Sequence, residues 1–152
     1  MLEELLKESM AVESTGSVYA WGQFILRVAV GLMIFYIHGW HKLRGGLNYL
    51  HDGTPWNLAD EVAAMRLPSP ISLAFTATIV QLVCSVFLIT GLLTRLNAVL
   101  LTATLGVAVV QNILARRNPQ LPILYVLILL TMIFLGGGSF SLDAMILPPV
   151  PH

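Results

Sequence analysis

Apolar residues run almost unbroken through four stretches of this chain, and polar or turn-forming residues mark where each stretch stops. A hydrocarbon core about 30 Å thick needs about 20 helical residues to cross it. The stretches at about 18–40, 71–93, 96–115 and 121–135 are therefore predicted to be membrane spans. Trp21 and Trp40 stand near the ends of the first, where indole rings prefer the interface. Ser69-Pro70 and Asn118-Pro119 each place a capping side chain and a proline at a helix start, ahead of the second and fourth spans. Gly91 with Thr94-Arg95 marks a tight turn between the second and third, and Arg116-Arg117 suits the C-terminal end of the third. Gly136, Gly137 and Gly138 end the fourth.

Two weaker helical patterns lie outside the spans. In residues 1–13, Leu2, Leu5, Leu6 and Met10 share one helical face, with Glu3, Glu4, Lys7 and Glu8 elsewhere, which predicts an amphipathic helix broken by Ser14-Thr15-Gly16-Ser17. Its acidity suits docking on protein better than binding anionic lipid. Residues 41–70 form the only long connection. Within it Asn57 as a cap, Asp60 and Glu61 in a first turn, and the stripe Leu58, Val62, Met65 before Pro68 predict a short helix at 57–67 lying on the membrane surface. Short connections make consecutive helices antiparallel neighbours. The expected architecture is one all-α domain, an integral membrane four-helix up-down bundle with an N-terminal amphipathic helix and a short interfacial helix in the first loop.

Composition supports a lipid environment. Of 152 residues, 57% are hydrophobic and 11% charged, whereas a soluble domain carries roughly a quarter charged residues to cover its surface; mean hydropathy is +0.81. The formal net charge is zero, so there is no basic field to attract nucleic acid. Cys84 is the single cysteine, which excludes dithiol chemistry within the chain. Glu3, Glu4, Glu8 and Glu13 against Lys7 are the opposite of a basic secretory leader, so the first apolar segment is expected to be retained. Lys42, Arg44, Arg66, Arg116 and Arg117 fall on one side of the spans, Lys7 and Arg95 on the other, and the positive-inside bias then places both termini outside the cytoplasm.

Polar residues inside the spans are the candidate chemistry. A guanidinium at mid-membrane costs at least about 2.5 kcal/mol, so Arg27 needs a partner or must snorkel to the headgroups. On an α-helical wheel Gly31, His38, His41 and Lys42 fall within about 60° of Arg27, a cationic face with a small gap at Gly31. Haem ligation by His38 and His41 is disfavoured, because the second and third spans offer no facing histidine, and no metal-ligand spacing is present. Gln81 shares a side with Thr78, Cys84 and Ser85, and Asn97 with Thr104 and Gln111. Such groups either bond across helices, for about 0.6 kcal/mol each, or hold the head group of a quinone. Tyr125 can join either network. Ser139, Ser141 and Asp143 suit a capped turn, with Asp143 also able to pair with a basic group on that side.

The string Leu26-Arg27-Val28-Ala29-Val30-Gly31-Leu32, followed by Tyr36, His38-Gly39 and Lys42-Leu43, resembles the opening helix of the DoxX family. The run Leu88 to Arg95 is similar to that family's turn after its second helix, and Gly136 to Asp143 to its Gly-rich, Ser-x-Asp ending. The resemblance implies a four-helix membrane protein of a bacterial or archaeal cytoplasmic membrane. Some members are subunits associated with quinone reduction by thiosulfate or with terminal quinol oxidation. It carries polar landmarks onto Arg27, His38, Lys42 and Arg95. Gln81 stands where members often have a glutamate, and Cys84-Ser85 where they have a Gly-Gly-like pair.

The expected function is a non-catalytic subunit of a larger redox or respiratory complex that contacts quinone through Arg27, His38, His41 and Gln81. Lys42, Arg95 and Asp143 would face lipid or neighbouring membrane subunits. The chain carries no flavin, haem, iron–sulfur or nicotinamide motif, so it is not a complete oxidoreductase by itself. The alternatives are a purely structural subunit binding lipid and adjacent chains, or a small membrane carrier, which four spans without broken central helices fit poorly.

Overall fold

The apolar stretches fold as helices, and the computed structural model, which describes residues 2–146, contains no strand among them. The first rod is far longer than its sequence pattern predicts. Helix α1 (Leu2–Met33), a π-helical segment (Ile34–Trp40) and α2 (His41–Asp52) follow one another without a gap. The expected break at Ser14-Thr15-Gly16-Ser17 does not occur, and the expected loop from residue 41 begins only after Asp52. Serine, threonine and glycine are weak helix formers, yet each still donates its backbone N–H, and extending a formed helix is far cheaper than starting one. The predicted face of Leu2, Leu5, Leu6 and Met10 lies outside the described side chains. The actual terminator is Gly53, left-handed at φ 67°, whose N–H bonds Tyr49 O at 3.1 Å.

Helix α3 (Asn57–Ala64) is shorter than the expected 57–67, and Trp56, not Asn57, occupies its cap position. Its apolar side is committed to protein: Leu58, Ala59 and Val62 are buried with Trp56 and Ala74, and the Trp56 ring lies 4.6 Å from that of Phe75. Helices α4 (Pro70–Thr90), α5 (Thr94–Leu114) and α6 (Gln120–Leu135) start and stop within a few residues of prediction. After the glycine turn the chain forms a further short helix, α7 (Leu142–Ile146). The segment Gly16–Asp52 and helices α4 and α5 are long and apolar enough to cross a membrane. Helix α6 is equally apolar, and its 16 residues extend about 24 Å.

Helix α4 is the hub, packed against α1, the π segment, α2, α3 and α5, while α6 lies along α5. In lipid there is little hydrophobic gain from bringing apolar helices together, so close approach and good contacts must hold them. Two glycines permit it on the first rod. A Cβ at Gly31 would stand 2.5 Å from Ile89 Cγ1 and 3.2 Å from the Ser85 carbonyl, and one at Gly39 would stand 2.7 Å from Leu82 Cδ2. The small gap expected at Gly31 is therefore filled by α4. The predicted cross-helix bonding of the polar stripes is not what holds the bundle. Thr78 donates to Ala74 O, Ser85 to Leu82 O and Thr104 to Leu100 O and Leu101 O, all within their own helices. Asn97 likewise donates to Leu92 O and Leu93 O at its own helix start.

Gly31→Leu is expected to force α1 off α4 and cost about 1–3 kcal/mol, the usual range for overpacking. Gly22→Leu, at a position where an added Cβ meets nothing within 4 Å, is the matched control and should be neutral or slightly stabilising. Thermal unfolding of the two variants in the same detergent checks this, and equal midpoints would contradict the close α1–α4 contact.

Candidate functional site

Arg27 is 2% exposed, an inward guanidinium within the apolar run of residues 24–33 of α1. Its Nη1 donates to Gly137 O and its Nη2 to Phe140 O at 2.6 Å, one carbonyl within the glycine turn after α6 and one just ahead of α7. The Phe24 ring lies 5.7 Å from its Cζ, within cation–π range. Nε is buried without a partner among the described residues. Of the alternatives raised by the sequence, snorkelling is thus replaced by an internal clamp.

The clamp is one part of a knot at this end of the molecule. Asp143 accepts from Leu93 N at 2.6 Å and from Thr94 N at 2.8 Å, while its own N–H donates to Gly91 O at 2.9 Å. It caps α5 from the far end of the chain, and its charge lies within electrostatic reach of Arg27. Leu93 needs that support, since it holds φ 48°, a left-handed backbone that costs a non-glycine residue about 1–2 kcal/mol. Gly91, at φ 75°, leaves the space that the guanidinium occupies: a Cβ there would stand 2.6 Å from Arg27 Nη1. Ser141 accepts from Ala144 N and donates to Gly138 O, the capped turn expected of this stretch. Arg95 is exposed and lies across Gly136, its Nε 3.3 Å from where a Cβ would be.

The remaining candidates lie elsewhere along the rod. His38 sits beside Tyr125 of α6, ring centroids 5.3 Å apart and edge-on. His38 Nε2, the Tyr125 hydroxyl and Gln81 Oε1 are all buried without a hydrogen-bond partner among the described residues. Lys42, half-buried, lies in the electrostatic field of Glu61 on α3, which also pairs with Arg117. His41 is exposed and turned away. The α-helical wheel that placed it with Arg27 fails because i→i+5 bonding takes up about one extra residue per turn, so the π segment shifts the following residues by about 100° or more. Arg27 and His38 are also separated by about 15 Å along the helix axis, beyond the reach of one ring.

The structure therefore divides the predicted quinone set. Arg27 is occupied by carbonyls, His41 faces outward, and His38 and Gln81 remain inside with Tyr125. A lipid-side groove of about 360 Å³ lies between the π segment and α4, lined by Phe35, Trp40, Leu43, Leu82, Val83, Val86 and Phe87. It borders the exposed side of α4, whereas Gln81 is on the buried side. Sequence reasoning missed Gly91 and Gly137 as the guanidinium's neighbours and Asp143 as the cap of α5. The only signal was the pairing of a buried arginine with two glycine-marked turns on the same side of the spans.

Asp143→Ala is expected to lower stability by about 1 kcal/mol through loss of the α5 cap. Asp143→Asn, which keeps one acceptor, should recover part of that loss. Chemical unfolding of both variants in detergent checks the order; a fully stable alanine variant would contradict the capping role.

The sequence comparisons bear on this arrangement. The family model described as DoxX matches residues 22–112, which run from the turn before Arg27 to the end of α5. No curated protein matches the chain, and no solved structure matches it. The matched stretch holds Arg27, the π segment, the α4–α5 turn and Arg95, while the carbonyls that hold Arg27 come from beyond it. With that match over more than half of its length, and three helices able to cross a bilayer, the chain is an integral membrane protein that belongs to the DoxX family.

Proposed function

We propose that this chain is an accessory membrane subunit of a larger redox assembly, a four-span up-down bundle that supplies a rigid intramembrane body and no catalytic group of its own. The observation that carries this reading is the fate of Arg27: the one buried cation among the described residues is spent on main-chain carbonyls and fixes the fold. DoxX membership supports the redox association. The fourth span rests on α6, which buries Pro122, Tyr125, Leu129 and Met132, packs along α5, and exposes Leu121, Ile123, Leu124, Leu127, Leu130, Phe134 and Leu135. Tagged protein extracted in mild detergent from the membrane that makes it should bring down a partner carrying flavin, haem or iron–sulfur absorbance. A solitary homo-oligomer would overturn the assembly reading.

A second reading, in which the same subunit also holds a quinone head group, is favoured by the interior trio of His38, Gln81 and Tyr125. Leaving a buried polar atom unpaired costs about 1–3 kcal/mol; a quinone oxygen can accept from the Tyr125 hydroxyl or the His38 ring N–H, and the Gln81 oxygen, an acceptor, can take the hydroxyl of the reduced, quinol form. The groove beside Trp40 opens toward lipid but lies on the other side of α4, so entry from it would require α4 and the π segment to part. Tyr125→Phe tests this reading in two directions. Without quinone it should be as stable as the parent or more so, because an unpaired hydroxyl is removed. A quinone analogue should raise the melting temperature of the parent but raise that of the variant less. No shift for the parent at saturating analogue would remove this second reading.

A further inference from the structure

The end of the molecule knotted by Arg27 also carries an open cavity of about 470 Å³ between the start of α5, the end of α6 and α7. Its polar lining consists of Thr94, Arg95, the Gly136–Gly138 backbone, Ser141 and Asp143. Three of these are already committed. The Asp143 carboxylate accepts from Leu93 N and Thr94 N, the Ser141 hydroxyl donates to Gly138 O, and the Gly136 N–H donates to Met132 O. Two are not. Thr94 is 0% exposed and its hydroxyl has no partner among the described residues. Arg95 makes no hydrogen bond or ion pair among the described residues, although it stands on the cavity's rim beside Gly136.

We propose that this cavity binds the phosphate of a membrane phospholipid, with the Arg95 guanidinium pairing two phosphate oxygens and the Thr94 hydroxyl donating to the phosphate from below. The planar fork of arginine suits a phosphate, and charge-assisted bonds of this kind are about twice as strong as neutral ones. Depth supports a lipid source. Trp21, Phe24 and Phe140 cluster at the same end, with Trp21 and Phe140 centroids 4.8 Å apart, and an indole such as that of Trp21 prefers headgroup level. Phe140 supplies a carbonyl to Arg27 and lies in the loop whose glycines line the cavity. The apolar wall of Leu93, Leu96 and Leu135 gives the acyl chains a path along α5 and α6. The negative charge of Asp143 opposes the ligand, but its oxygens are held by two N–H groups and it faces Arg27. With Arg95 the local balance is one net positive charge.

Delipidated protein is titrated with phosphatidylglycerol, with diacylglycerol of the same chains and with inorganic phosphate, and bound lipid is counted by native mass spectrometry alongside the melting temperature. Phosphatidylglycerol should bind with at least about tenfold preference over diacylglycerol, since one charge-assisted bond is worth about 1.4 kcal/mol or more. Arg95→Gln should abolish that preference while leaving the lipid-free melting temperature unchanged, because the side chain is exposed. Thr94→Val should weaken binding severalfold yet leave the lipid-free protein as stable or more so, since it removes an unpaired buried hydroxyl. Equal binding of phosphatidylglycerol and diacylglycerol, or an Arg95→Gln protein with undiminished preference, would overturn the proposal. Inorganic phosphate binding as tightly as the lipid would assign the cavity to a free anion and overturn the lipid reading.

Discussion

A guanidinium buried among apolar helices is the constraint on which this structure depends. Lipid offers Arg27 no solvation, so the fold must bring acceptors to it, and it brings two main-chain carbonyls from the turn that joins α6 to α7. The exchange is mutual. The carbonyls of Gly137 and Phe140 would otherwise lack partners at the edge of the hydrocarbon, and the cation would otherwise have to reach water. Satisfying both ties the first rod to the end of α6, although the main packing contacts of that rod are with α4. Asp143 then closes the knot by capping α5 and bonding the α4–α5 turn.

The same logic accounts for the glycines. Gly91 is where α4 must turn sharply and where the guanidinium needs room, and a single Cβ would obstruct both. Gly31 and Gly39 serve a different end, letting the first rod lie close against α4 in an environment where apolar burial alone gives little association. Thus the polar contacts sit at the helix ends and the close apolar contacts along the helix bodies. The interior exceptions are His38 Nε2, Gln81 Oε1 and the Tyr125 hydroxyl, buried and without partners among the described residues, and they mark the part of the core least explained by folding alone.

Much of this was legible in the residue pattern. The apolar stretches of α4, α5 and α6 were bounded by proline, glycine and arginine, whose backbone and charge preferences act locally, and their limits followed. The need of Arg27 for a partner was equally plain, because the cost of its charge does not depend on the fold. What the pattern could not supply was long-range or register-dependent. Nothing local says that Phe140 faces Arg27, or that Asp143 caps a helix fifty residues earlier. His41 was misplaced because a π segment changes the phase of every residue after it, and residues 34–40 carry no proline or other local signal of that change. The first rod outran its expected end because Gly45 and Gly46, weak in an isolated helix, pack against Trp56 and Phe75.

The central claim is that Arg27 is sealed within the protein by backbone carbonyls rather than lifted to the headgroups. Its reactivity toward a water-soluble dicarbonyl reagent, followed by peptide mass spectrometry on folded protein in detergent, tests this most directly. Arg66 and Arg116, both exposed, serve as internal references. Arg27 should remain unmodified while they react and should become reactive only on unfolding; modification of Arg27 at a rate comparable to theirs in the folded protein would contradict the account.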